Sequence, residues 1–309
     1  MKVLITGGSG FIGTNLVQFY IDQHIEVFNI DLKPPQNENH VLNWHRADLL
    51  NRTELMNKVN EIAPTHVIHL AARTDLNGTN IEDYAVNTVG TQNLIDSLST
   101  LPYVQKTIFA STMLVCAPGY TPANETDYCP TTVYGESKKI MEMILRKQQL
   151  HFAWLVIRPT SIWGPWFGSP YRDFFDKVYQ RQYFNIKNRA CTKTYGFVLN
   201  AVFQINKLLH SEVTNETVFY LGDKPPLNIA DWANQVALMM GYKKFPQVPY
   251  NVFRLAAWTG DFLKLCGMKF PMTSFRLKNM TTNNILPLDN LYVIAGDPPF
   301  DTQSAIKIT

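Results

Sequence analysis

Cysteine is scarce in this 309-residue chain, and Cys116, Cys129, Cys191 and Cys266 form no C-x-x-C pair. A chain of this size does not lean on disulfides for its core, so the pattern predicts free thiols in a reducing, cytoplasmic compartment. An excess of one charge is missing too: Lys plus Arg number 28 against 25 Asp plus Glu, a net charge of +3. That balance gives no whole-chain case for nucleic acid or an anionic membrane as partner, and leaves room only for a local phosphate site. No apolar run approaches the ~20 residues of a membrane span. The nearest, residues 252–268, is broken by Arg254, Asp261 and Lys264 and predicts an amphipathic helix. The opening MKVLITGGSGFIG is a strand broken by glycines, not a signal peptide. Asn-x-Thr triplets such as Asn77-Gly78-Thr79 then read as chance products of an Asn-rich chain. Metal-ligand spacing is absent, because His66 and His69 lie three apart on a predicted strand and face opposite sides. Ser111 lacks the G-x-S-x-G elbow of a hydrolase nucleophile. What is present is 46% hydrophobic and 17% charged residues, which excludes extended disorder. The length allows one large domain or two lobes.

The first half alternates strand and helix. Short apolar runs predict strands at 3–5, 26–30, 43–47, 66–70, 107–110 and 153–157. Amphipathic stretches between them predict helices from 14, through 55–62, at 81–98 and at 132–149. Repeated strand–helix–strand units with short links imply an α/β fold, a doubly wound parallel sheet with helices on both faces. After Pro159 the rhythm breaks. Trp163, Trp166 and Phe167 crowd one irregular stretch, either stacking on a ligand or filling a core. Helix-like and strand-like pieces follow in mixed order, at 173–182, 195–199, 201–209, 218–221 and 229–240. This predicts a Rossmann domain over 1–160, with 190–212 returning to it, and a smaller C-terminal substrate lobe over 161–189 and 213–309.

Two local patterns carry chemistry. Thr6-Gly7-Gly8-Ser9-Gly10-Phe11-Ile12-Gly13 sits where the first strand meets the first helix. Gly7 allows the tight turn, Gly10 lets backbone approach a pyrophosphate, and Gly13 lets the helix pack close. The helix N-terminus offers free N–H groups to phosphates. Asp31 closes the second strand, where a carboxylate can accept the hydroxyls of an adenosine ribose. That favours NAD over NADP, although Lys33 could tolerate a 2′-phosphate. The second pattern is Tyr134-Gly135-Glu136-Ser137-Lys138. The i, i+4 spacing puts phenol and ammonium on one helix face. A phenol of pKa ~10 is a poor base at neutral pH, and a neighbouring ammonium stabilises its phenolate. The chain order places Ser111-Thr112, just past the fifth strand, beside that helix at the carboxyl end of the sheet, where ligands bind.

The glycine turn, Asp31, Asp48-Leu49, His69-Leu70-Ala71-Ala72, Asn87, Ser111-Thr112, YGESK and Arg158-Pro159 together resemble the extended short-chain dehydrogenase/reductase family. Within it the chain is similar to the NAD-dependent epimerase/dehydratase branch, which acts mostly on nucleotide sugars. The match is dense to about residue 165 and scattered afterwards. The resemblance implies that Gly7, Gly10, Phe11, Ile12 and Gly13 hold the pyrophosphate and that Asp31 takes the adenine-side ribose. Asp48 and Leu49 would border the adenine. Leu70, Ala71, Ala72 and Ser111 would line the cofactor, with Asn87 in the supporting helix and Pro159 and Ile162 flanking the nicotinamide. Thr112 would hydrogen-bond the reacting oxygen, Tyr134 would be the acid/base, and Lys138 would hold the nicotinamide ribose and tune Tyr134. Arg73, Thr112 and Lys193 would meet the substrate. Relatives commonly dimerise through the helices holding Asn87 and Tyr134, so a homodimer is expected. Leu94, Ile95 and Leu98 would either serve that interface or face the sheet.

Departures narrow the reading. Met113 and Leu114 stand where 4,6-dehydratases of this branch place an acidic pair, which disfavours dehydration. Cys116 replaces an aromatic residue common in nucleotide-sugar epimerases. Lys193 falls where an Arg often grips the nucleotide pyrophosphate, and loses the bidentate fork. Leu199 and Asn200 occupy a stretch that is usually acidic. The expected activity is nucleotide-sugar epimerisation through a transient 4-keto sugar. The alternatives are a net NAD(P)-dependent ketoreductase or dehydrogenase, on a keto-sugar or a steroid- or flavonoid-like alcohol, and a non-catalytic dinucleotide sensor. No metal is expected.

Overall fold

Apolar runs in the first half form β1 (Lys2–Thr6), β2 (Glu26–Asp31), β3 (Trp44–Arg46), β4 (His66–His69), β5 (Lys106–Ala110) and β6 (Ala153–Pro159). Helices α1 (Phe11–Asp22), α2 (Arg52–Ile62), α3 (Ala85–Ser99) and α4 (Val133–Arg146) connect them. These elements come from a computed structural model, which describes residues 1–169, 171–213, 216–268 and 270–309. Every strand and helix expected up to residue 160 is present, with shifted ends. The largest shift is at α3, which a short 3₁₀ turn at Glu82–Tyr84 precedes.

The second half continues with β7 (Ser161–Trp163), α5 (Tyr171–Tyr179), β8 (Asn185–Ile186), β9 (Thr192–Lys193), β10 (Tyr195–Phe197) and α6 (Val198–Leu209). Then come β11 (Val218–Leu221), β12 (Leu227–Asn228), α7 (Ile229–Met239), β13 (Gln247–Val248), α8 (Tyr250–Leu265), α9 (Ser274–Thr281), α10 (Asp289–Ala295) and α11 (Thr302–Ile308). The piece expected over 195–199 divides in two, with β10 ending at Phe197 and Val198 opening α6.

The main sheet has seven strands in the order β11-β6-β5-β4-β1-β2-β3, every pair parallel. The chain runs outward from β1 to β3, then returns to β4 on the other side of β1. That reversal opens a crevice at the carboxyl ends of β1 and β4, the usual ligand position in such sheets. Alternation sorts the side chains. Val3 and Ile5 go to the face covered by α1, α6 and α10, and Leu4 goes to the face covered by α2 and α3. Phe109 and Val156 meet Met141 and Leu145 of α4.

One boundary is corrected. The interrupted rhythm assigns everything after 213 to the second lobe, yet β11 pairs with β6 as the sheet's edge, Val218 opposite Val156. Its four residues are all buried, as a sheet strand requires. α10 also packs against this half, through Leu288, Leu291 and Ala295. The second lobe has its own core of Trp163, Phe175, Phe197, Trp232, Val236 and Phe245. Trp163 and Phe167 therefore fill a core, while Trp166 is exposed with φ 71°.

Candidate active site

The glycine turn is as tight as its residues permit. Gly7 has φ +77°, and a Cβ there would lie 2.5 Å from the Ala71 amide nitrogen, so β1 and the segment after β4 almost touch. At Gly13 a Cβ would collide with the Gly7 carbonyl oxygen and Gly8 Cα. Gly10 caps α1 with its N–H on the Gly7 carbonyl at 3.0 Å, and the first-turn N–H groups of Phe11, Ile12 and Gly13 start the helix there. A Cβ on Gly10 would meet nothing but that carbonyl, at 3.2 Å, so the cradle is open on the side a pyrophosphate would use. Asp31 accepts from the Ser9 N–H at 3.1 Å and the Lys33 N–H at 3.0 Å. Burial pushes its carboxyl up, against the pull of those bonds and of Lys33. Asp48 accepts from the Leu50 N–H at 2.9 Å. The Leu49 side chain lies in the core with Leu55 and Leu94.

The chemical groups come from β5 and α4. Thr112 is buried, and its hydroxyl accepts from the Leu114 N–H at 3.2 Å, capping the 3₁₀ turn Met113–Val115. Thr132 caps α4 through the Gly135 N–H at 3.0 Å. A Cβ on Gly135 would collide with the Leu114 carbonyl oxygen. Glycine at the second position of YGESK thus lets the Tyr134 helix seat against the loop that carries Thr112. Lys138 is 1% exposed, and its Nζ donates to the Ala110 carbonyl at 2.8 Å, two residues before Thr112. Burial pulls its ammonium down to about 8, with Glu142 pulling the other way. Tyr134 is buried, its ring 6.1 Å from that of Tyr84. The buried Ser111 hydroxyl finds no hydrogen-bond partner among the described residues.

A polar network fixes this arrangement from behind. Asn87 holds the Arg73 backbone on both sides, accepting its N–H at 2.8 Å and donating to its carbonyl at 3.0 Å. The same amide donates to Ser137 Oγ at 2.9 Å, and Ser137 donates to the Tyr134 carbonyl at 2.7 Å. Asn87 therefore ties the segment after β4 to the Tyr134 helix. His69 bridges Thr6 Oγ1 at 2.6 Å and Thr91 Oγ1 at 3.0 Å. Thr91 spends its one proton on the Asn87 carbonyl, so His69 must donate from Nε2 and accept at Nδ1. Burial, aided by Lys138, holds this imidazole neutral and down at about 3.

The model of the family described as "NAD dependent epimerase/dehydratase family" matches residues 3–196. The chain belongs to that family. A 3-beta-hydroxysteroid dehydrogenase of Mycolicibacterium neoaurum is 28% identical over 271 residues, 80% of this chain and 72% of that protein. An N-acetyl-alpha-D-glucosaminyl-diphospho-ditrans,octacis-undecaprenol 4-epimerase of Escherichia coli O157:H7 is 26% identical over 90% of this chain and 84% of that protein. Among solved structures, a UDP-glucose 4-epimerase of Thermotoga maritima superposes with a TM-score of 0.77 at 20% identity, covering 100% of this chain and 97% of that one. The last likeness speaks for the fold.

This epimerase/dehydratase-family chain is an enzyme, and NAD is its cofactor. The open glycine cradle, the orphaned Ser111 hydroxyl and the buried Lys138 fit that group. Leu70 closes β4 with its N–H on the Thr6 carbonyl, and Ala71 and Ala72 follow at the crevice. Pro159 ends β6, and Ile162 on β7 is buried against Gly196. Two residues expected on the substrate are engaged within the chain. Arg73 forks onto Asp75 at 2.8 and 3.2 Å, reaches the Asp83 carbonyl at 2.9 Å and covers the Tyr84 ring. Lys193 donates to the Asn279 carbonyl at 2.7 Å, with burial pulling its ammonium down.

Sequence reasoning missed a buried ion pair. Arg158 forks onto Glu142 at 2.9 and 2.7 Å, one side chain 1% and the other 0% exposed. Tyr128, Tyr220 and the Glu125 carbonyl complete the cage. Glu142 lies one turn beyond Lys138 on α4, so this pair locks α4 to β6. Arg158-Pro159 was visible as a motif, but its partner lies 16 residues away on another element.

Proposed function

We propose that the enzyme epimerises a nucleotide sugar by transiently oxidising a secondary alcohol of the sugar. The observation that carries this reading is the seating of the Tyr134 helix against the Thr112 loop, with the Lys138 ammonium between them on the Ala110 carbonyl. When bound, NAD supplies the electron sink for the carbinol carbon. Thr112 orients the substrate hydroxyl, and Tyr134 takes its proton and later returns it. Lys138 holds a positive charge beside that proton transfer, which favours the phenolate. Asp31 and the glycine turn orient the cofactor, and Met113 and Leu114 offer no acid to expel water, so the keto sugar is reduced again rather than dehydrated. The two relatives above, one an epimerase of a lipid diphospho-sugar and one a steroid dehydrogenase, support oxidation of a ring carbinol as the common step.

A second reading, a net NAD(P)-dependent ketoreductase or dehydrogenase on a keto-sugar or a steroid- or flavonoid-like alcohol, is favoured by the engagement of Arg73 and Lys193 inside the chain. That leaves the expected diphosphate grip weak. The test separates the two. An epimerase interconverts UDP-, GDP- or dTDP-sugar pairs with no net change in absorbance at the reduced-nicotinamide band. A net ketoreductase consumes added NADH, and a net dehydrogenase added NAD, in proportion to product, and either outcome with no sugar pair interconverted overturns the first reading. The reading includes a cytoplasmic enzyme, supported by four free cysteines, and a homodimer through α3 and α4, where Val89 and Met143 are exposed. Leu94, Ile95 and Leu98 face the sheet and take no part.

A further inference from the structure

The amphipathic helix expected at 252–268 exists as α8, and its apolar side faces outward. Leu255, Trp258, Phe262 and Leu265 are spaced three, four and three residues apart, which gathers them within roughly 80° of the helix circumference. Trp258 is 58%, Phe262 64% and Leu265 87% exposed. The opposite side is the one that packs. Ala257 and Gly260 are buried, and a Cβ on Gly260 would collide with the Met272 carbonyl oxygen, so α8 is seated hard against the chain leading into α9. Val252, Met268, Phe270 and Phe275 extend the exposed apolar surface. A contiguous patch of this kind marks an interaction surface.

Charge decides what covers it. From residue 232 to 288 the sequence carries seven Lys or Arg and one acid, Asp261, although the whole chain is only +3. The remainder is therefore net negative, and the positive charge is concentrated on the segment that bears the patch. The one acid is occupied at the start of α9, where it accepts the Ser274 N–H at 3.2 Å. Arg254 lies beside the apolar stripe, its guanidinium 5.1 Å over the Trp258 ring. Arg276 and Lys278 are exposed on α9, and Lys243 and Lys244 precede α8. A stripe of Trp, Phe and Leu with Arg254 beside it, on a segment whose charges are almost all Lys and Arg, is the composition of a helix that lies in a membrane interface, its rings among the acyl chains and its cations at anionic headgroups. A protein partner needs no such one-signed charge.

We infer that the outer face of α8, with the exposed side chains of α9, docks on an anionic lipid bilayer. No helix among the described residues is long and apolar enough to cross a membrane, so the contact is peripheral. The docked face is linked to the catalytic loop. Lys193 holds the Asn279 carbonyl at the end of α9, and Asn284 just beyond accepts the Gly119 N–H at 3.1 Å and lies 3.6 Å from Met113 Sδ. Met113 follows Thr112. The surface proposal stands apart from the choice of substrate.

The test is co-sedimentation of the full chain, saturated with NAD, with phosphatidylcholine vesicles with and without phosphatidylglycerol. The expected result is roughly tenfold or greater partitioning to the anionic vesicles, weakened by salt. Trp258→Glu and Phe262→Glu should abolish it, and Leu265→Ser should weaken it, with NAD affinity and melting temperature unchanged. Absence of vesicle binding overturns the proposal, as does binding that all three variants retain. So does a wild-type oligomer that ignores vesicles and falls apart in Phe262→Glu, since the face would then be a contact between copies.

Discussion

Lys138 and His69 are both buried cationic candidates, and the chain treats them oppositely. Lys138 has a carbonyl to donate to and Glu142 one turn away, so it keeps a usable charge near neutrality. His69 is wedged between two threonine hydroxyls and stays neutral. Its folded pKa is depressed to about 3, below the unfolded value of roughly 6.5. The stability it contributes is present above pH 6.5 and is lost as pH falls towards 3, with a slope of at most about 1.4 kcal/mol per pH unit. His69→Gln, which keeps both hydrogen bonds without a titrating ring, should flatten that slope in urea unfolding between about pH 6 and 4. At the reacting centre, Tyr134→Phe should lower kcat by about 10²–10⁴-fold while NAD binding, followed by fluorescence quenching, changes little.

Between elements, the approach of α4 to the Thr112 loop depends on one missing methyl group. Gly135→Ala should push the helix away from the Leu114 carbonyl, costing about 1–3 kcal/mol in urea unfolding and lowering kcat more than it raises KM. The Arg158–Glu142 pair fixes the other end of the same helix. Arg158→Met leaves an uncompensated buried carboxylate and should cost about 3–5 kcal/mol, whereas Arg158→Met with Glu142→Leu should recover much of it. These elements differ in how far the sequence reveals them. The strands of the first half are legible because parallel strands covered on both faces must be apolar throughout, as in Val3-Leu4-Ile5. YGESK is legible because its chemistry lies within five residues. The Arg158–Glu142 pair and the His69 bridge are not, because their partners share no local spacing. Arg73 and Lys193 were legible as cations, but only the fold shows that Asp75 and Asn279 already engage them.

Across the whole molecule, the two lobes are interleaved. The chain leaves the sheet at β6, builds part of the second lobe, and returns as α6. It gives the sheet its edge strand β11, leaves again, and sends α10 back. Leu199 on α6 packs against both cores. The lobes should therefore melt together. Fluorescence from Trp44 in the first and Trp232 in the second, each isolated by replacing the other tryptophans with Phe, should report one urea midpoint. This interleaving is also why the boundary at 213 failed. A strand of four residues, reached after a long excursion, carries no mark of which sheet it joins.

The late arrival of β11 also bears on synthesis. β6 is complete when residue 159 is made, but its neighbour ends at residue 221. At about 5–20 residues per second, the ribosome leaves that edge unpaired for several seconds. An open β edge recruits whatever strand is nearest. The interval between these two strands is a window in which a chaperone would have that edge to protect.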